Sequence, residues 1–93
     1  MITANEMKAI TKTNAHSNEN IGKLILVYLE PKMIQAAKNG QNWFDCHLTE
    51  PEILEKSWGR TYQETADIMA EMFEKLGYKT DYVRSTRRFI IEW

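Results

Sequence analysis

Three side chains with chemical potential, Trp43, Asp45 and His47, stand two residues apart in the run 41–48. In an extended strand such residues share one face, with backbones about 6.5–7 Å apart, which is within carboxylate–imidazole reach. An Asp–His pair can move a proton, but proton transfer needs a third group to act on. No nucleophile in a recognisable setting accompanies them. The run therefore reads as a half-covered strand face or a contact surface, no catalytic residue is assigned, and the chain is expected not to be an enzyme.

A second set is basic. Arg84, Arg87 and Arg88, three of the four arginines, fall near the end of the chain. Guanidinium groups favour forked contacts with carboxylates and phosphates, so this cluster is the best anion-binding candidate. Its plain alternative is a charged hairpin that protects a sheet edge. Metal binding is not expected. Cys46 and His47 are neighbours, which a strand turns to opposite faces, His16 is remote, and no C-x₂-C or H-x₃-H spacing occurs. The glycines form neither a GxGxxG nor a Walker pattern, so no nucleotide cofactor is implied.

Composition narrows the classes. Ninety-three residues, 43% hydrophobic and 27% charged, suit one globular domain over 1–93 with a single modest core. The net charge of −1 gives no general affinity for polyanions, so a nucleic-acid role needs a local patch. A lone cysteine carries no disulfide framework. No apolar run approaches the roughly 18 residues of a membrane span, and the N-terminus lacks a charged-then-apolar signal pattern. The expectation is a soluble protein of a reducing cytoplasm.

The elements that position these residues follow from periodicity. Thr3 and Glu6 form a capping box that opens a short helix to about Asn14, with Met7 and Ile10 inward. Residues 18–39 form a second helix, with Ile21, Leu24, Ile25, Tyr28, Met33, Ala36 and Ala37 on its core face. Leu26, Val27 and Leu29 widen its apolar surface, so it is central or meets a second subunit. Pro31 predicts a kink or break near Leu29 and Glu30. After Asn39-Gly40, the strand 41–48 turns Phe44, Cys46 and Leu48 to one side. Thr49 with Glu52 suggests another capping box and a short helix burying Ile53, Leu54 and Trp58.

Thr61 with Glu64 opens the firmest helix, whose Tyr62, Ala66, Met69, Phe73 and Leu76 recur at steps of four and three up to the Gly77 stop. Glu64, Asp67, Glu71 and Glu74 line its other side. Two alternating runs then form a hairpin around residues 84–87, and the terminal Trp93 is expected to pack down.

The fold class is α+β: N-terminal helices and a short three-stranded antiparallel sheet with a C-terminal hairpin, in the order α-α-β-α-α-β-β. Over residues 18–93 that order resembles a winged helix in topology alone. The helix such a domain lays in the major groove would here be 61–76, whose four acids and one lysine meet a backbone with about one charge per 1.7 Å. Nucleic acid is thus not the favoured partner and would be met through the hairpin alone, where Lys79 and three arginines outweigh Asp81 and Glu92. The acidic helix and basic hairpin also suit pairing between subunits.

The segments Thr3-Ala4-Asn5-Glu6, Ile34-Gln35-Ala36-Ala37-Lys38-Asn39-Gly40, Leu76-Gly77-Tyr78-Lys79 and Ile90-Ile91-Glu92-Trp93 together resemble small accessory proteins of tailed bacteriophages. The resemblance rests on caps and core positions, so it transfers no functional residue. It implies a non-enzymatic binder in a bacterial host cytoplasm that occupies or inhibits a host protein or a small anionic ligand; the broad apolar helix 18–39 and the segregated charge of 61–93 add the expectation of a homo-oligomer. The alternative is a nucleic-acid-binding regulator using its hairpin. Under either, Arg84, Arg87, Arg88, Trp43, Asp45 and His47 are the candidate contact residues.

Overall fold

The computed structural model describes residues 2–7 and 17–93. Helix α1 is seen at residues 4–7, where the Thr3 hydroxyl accepts from the Glu6 amide at 3.2 Å as the capping box requires. Met7 is half exposed instead of inward, and Ile10 lies outside the described residues. The remaining elements are α2 (Asn18–Lys38), β1 (Trp43–His47), α3 (Pro51–Lys56), α4 (Tyr62–Lys75), β2 (Lys79–Val83) and β3 (Arg88–Glu92). The order α-α-β-α-α-β-β and the α+β class are those read from the sequence.

Helix α2 starts at Ser17, whose hydroxyl accepts from the Asn20 amide. It runs unbroken through Pro31, so of the kink or break expected near Leu29 and Glu30 the break does not occur. Proline removes the donor that would reach the Val27 carbonyl. Pro31 and Val27 both lie on the exposed side, where water can serve that carbonyl instead. The buried stripe is Ile21, Ile25, Leu29, Met33 and Ala36, spaced by four until the final step. Leu24 and Ala37 are exposed, because a helix that buries this stripe turns them outward.

Both long helices end the same way. In α4 the Tyr78 amide donates to the Phe73 carbonyl and the Gly77 amide to that of Glu74, each at 3.0 Å. Gly77 takes φ +95°, completing a Schellman motif. The Tyr78 ring then meets Phe73 edge-on at 5.6 Å. Tyr78 thus fills the place the helical stripe offered to Leu76, which is 57% exposed. Gln41 and Gly40 repeat the pattern onto Ala36 and Ala37.

Helix α3 also departs from expectation. Pro51 takes the first helical position, so Glu50 is the cap residue and Thr49 is not. The helix is six residues long and buries Ile53 alone. Leu54 and Trp58 are exposed, Trp58 because its backbone turns left-handed (φ 49°) just past the helix. Tyr28 ties α3 to α2: its hydroxyl donates to Glu50 Oε2 at 3.1 Å, and Lys32 and Lys56 stand 5.2 and 5.3 Å from its ring centre.

The sheet order is β1-β3-β2, all antiparallel, with β3 central. Phe89 and Ile91 on β3 and Cys46 on β1 face the helices and join α2 and α4 in one core, with Met69 and Phe73 fully buried. Two buried hydroxyls are satisfied locally: Ser57 donates to the Leu54 carbonyl and Thr65 to that of Thr61. Trp93, though 40% exposed, is held by its amide on the Asn42 carbonyl and by an edge-on contact with Tyr78.

Candidate functional site

Alternation along three strands sets up the site. Since Cys46, Phe89 and Ile91 point to the core, Trp43, Asp45 and His47 of β1 share the opposite face with Arg88, Ile90 and Glu92 of β3. The register aligns three rows across the sheet: Trp43–Glu92–Lys79, Asp45–Ile90–Asp81 and His47–Arg88–Val83. Ile90 is half-buried at the centre, and Trp43 is 41% exposed at the edge.

Arg88 reaches diagonally over this face to Asp45. Its Nε donates to Asp45 Oδ2 at 2.8 Å, and its Nη2 donates to the same oxygen. The pair is partly open to solvent, which limits its contribution to stability to about 1 kcal/mol. What it supplies is order: a long cationic side chain is held in one place beside Trp43 and His47. Asp45 is thereby committed to Arg88, and no Asp45–His47 hydrogen bond forms among the described residues.

The other two arginines turn elsewhere. Arg84 Nε donates to Gln63 Oε1 at 2.8 Å. The Arg87 guanidinium lies 4.6 Å from the centre of the Tyr62 ring and donates to the Tyr82 hydroxyl at 3.4 Å. Arg87 itself takes φ 58° in the turn, and its carbonyl accepts from the Leu48 amide. The six sequence candidates therefore divide. Arg88, Trp43, Asp45 and His47 form one surface, while Arg84 and Arg87 fasten the hairpin turn to the start of α4.

Sequence reasoning missed Tyr62, Gln63 and Tyr82 as the arginines' partners. Their only signal was an aromatic or amide residue at the opening of α4 and on the helix-facing side of β2.

The acidic side of α4 is as exposed as its pattern implied, but its charges are locally engaged. Glu64 completes the capping box, accepting from the Thr61 amide at 3.2 Å. That bond, then the Thr61 hydroxyl, hold its carboxyl below the usual value. Gln63 donates to Asp67, Lys75 pairs with Glu71, and Thr80 donates to Glu74. Gln63 thus bridges the basic turn and the acidic helix within one chain. Among the described residues no arginine of the turn forms an ion pair with an acid of α4, and Arg84 reaches Asp67 only through the Gln63 amide.

Cys46 has no part in surface chemistry. Burial, aided by the carboxylates of Glu50 and Asp45, pushes its thiol up to about 12, which leaves it protonated and inert. No three His, Cys, Asp or Glu side chains gather at metal-binding distances among the described residues. No described helix is long and apolar enough to cross a membrane.

A separate groove runs along α2. One end, about 390 Å³, lies between Leu26, Ile34, Leu76, Tyr78 and Trp93. The other, about 460 Å³, lies between Gly22 and Lys23 of α2 and Ile68, Met72 and Lys75 of α4.

Compared with known protein families, curated proteins and solved structures, the chain matches none.

Proposed function

We propose that the protein is a non-enzymatic binding module, of the kind tailed phages use as accessory proteins, and that its outer sheet face docks on a host protein. One observation carries this reading: Arg88 donates to Asp45 on the sheet face that also carries exposed Trp43 and His47. Tryptophan and arginine dominate the energetics of protein interfaces, and immobilising them before binding lowers the entropic cost of association.

A small anionic ligand is less well supported, because the three arginines diverge onto separate partners instead of converging on one pocket. Laying α4 in a duplex groove is disfavoured, because that helix turns Glu64, Asp67, Glu71 and Glu74 to solvent.

Affinity capture from bacterial lysate, followed by mass spectrometry, tests the reading. The wild-type chain should retain a stoichiometric protein that Trp43→Ala and Arg88→Ala each release, while Arg84→Ala keeps it. Salt-sensitive DNA retention lost with Arg84 and Arg87, or a captured protein indifferent to Trp43 and Arg88, would refute it.

A further inference from the structure

We propose that the free edge of β1 takes up an extended segment of the partner protein as a fourth strand, with a lysine or arginine of that segment opposite Asp45. The inference rests on the proposed function, since it names the chemistry of what docks beside the outer face.

The hydrogen-bond phase of the sheet creates the site. The Leu48 amide donates to the Arg87 carbonyl at 2.8 Å, and the Trp93 amide to the Asn42 carbonyl at 2.9 Å. Given the register of β1 on β3, these bonds turn the backbones of Phe44 and Cys46 toward β3 and those of Trp43, Asp45 and His47 away from it. β1 is the last strand of the sheet on that side. The N–H and C=O of Trp43 and Asp45 and the N–H of His47 therefore point outward, with no hydrogen-bond partner among the described residues. The array ends at the His47 carbonyl, which accepts from the Glu50 amide at 3.1 Å.

Edge strands are ordinarily defended by a proline, a bulge or a charged side chain. β1 has no proline, and its one-to-one register leaves no bulge. Its one acid, Asp45, is drawn inward over the sheet by Arg88 of β3. The opposite edge differs, because β2 carries Lys79 and Asp81, neither of which forms an ion pair among the described residues.

Backbone groups in this array accept one kind of occupant, an extended chain whose own N–H and C=O groups recur every second residue. Neighbouring side chains specify the rest. Residues of the added strand that fall on the inner side lie beside half-buried Phe44 and are apolar. Opposite Asp45 the requirement is cationic. Both bonds from Arg88 go to Asp45 Oδ2, which leaves Oδ1 to accept. On the same face Asp45, Asp81 and Glu92 outnumber Arg88 and Lys79. A cation placed there also comes within reach of the Trp43 ring, two residues along the strand.

The probe is a surface-displayed library of random peptides about ten residues long, selected on the whole chain. Enriched sequences should place apolar residues at alternate positions about a lysine or arginine. In a synthetic copy of the strongest, exchanging that cation for glutamate should weaken binding about tenfold. Amide exchange read by NMR reports on the edge itself. In the free chain Trp43, Asp45 and His47 should exchange quickly between protected Phe44 and Cys46, and the peptide should protect all three. His47→Pro removes an outward donor where an edge strand tolerates proline, so it should weaken binding about tenfold with the cooperative melt retained, while His47→Ala binds as the wild type does. If the proline variant does not fold, the exchange pattern decides alone. Absence of enrichment, winners without alternation, or a bound peptide that leaves those amides unprotected overturns the inference. Protection of the three amides in the free chain that rises with its concentration gives the edge to a second copy and overturns it equally. A captured host protein that Trp43→Ala and Arg88→Ala release but His47→Pro retains docks on the face without the edge, which sinks this inference and leaves the proposed function standing.

Discussion

At the scale of single residues, burial and hydrogen bonds fix the protonation and the partners of polar groups. Cys46 is the clearest case, because its thiol keeps its proton up to about 12 when folded, against an ordinary value of 9.0. The folded state therefore binds the proton more tightly. Stability is full below the unfolded value and declines as pH climbs toward the folded one. Tyr28 acts in the same direction, raised by burial and by its hydrogen bond to Glu50. Denaturant melts from roughly pH 8 to 11 should show falling stability, and Cys46→Ala should flatten part of that slope while lowering its overall level. The native thiol should resist aromatic disulfide reagents until the chain unfolds. Thr61 offers a second check. Thr61→Ala removes the hydroxyl that accepts from Glu64 and should cost about 1 kcal/mol, a drop of some 4–8 °C in Tm.

At the scale of elements, α2 and α4 carry the fold, and two substitutions in α2 separate local preference from packing. Pro31→Ala restores a donor for the Val27 carbonyl on the exposed side of the helix. It should stabilise by about 1–2 kcal/mol in a thermal melt, less than the full cost of an interior proline because proline also restrains the unfolded chain. Gly22 is buried, and a Cβ there would stand 3.1 Å from Met72 Sδ and 3.4 Å from Ile68 Cγ2. The thioether end of methionine can swing aside, so Gly22→Ala should stabilise the fold by most of the roughly 1 kcal/mol that helix propensity offers, seen as a higher Tm. Gly22→Leu should pry α2 from α4 and lower Tm sharply. An equal loss from alanine would mean that Met72 is locked.

At the scale of the whole molecule, surface and core are divided cleanly. The sheet shows one face to the helices and leaves the other to solvent, and the helical side keeps an uncovered apolar groove. Arg88→Ala should therefore reduce stability by no more than about 1 kcal/mol, because its pair with Asp45 is partly solvated. Its effect on partner capture should be far larger. A Tm loss matching the binding loss would make Arg88 a structural residue instead.

Sequence by itself determined what short-range physics dictates. The Thr61–Glu64 cap, the Gly77 stop and the alternation of Phe44, Cys46 and Leu48 against Trp43, Asp45 and His47 needed only neighbours within four residues. Tertiary structure decided what depends on residues distant in the chain. It set Tyr78 against Trp93, and it joined Arg88 to Asp45 across 43 positions. It also turned Arg84 and Arg87 away from Arg88. A periodic pattern shows which face a residue takes, but strand register and helix placement choose its partner, and those are settled when the core closes.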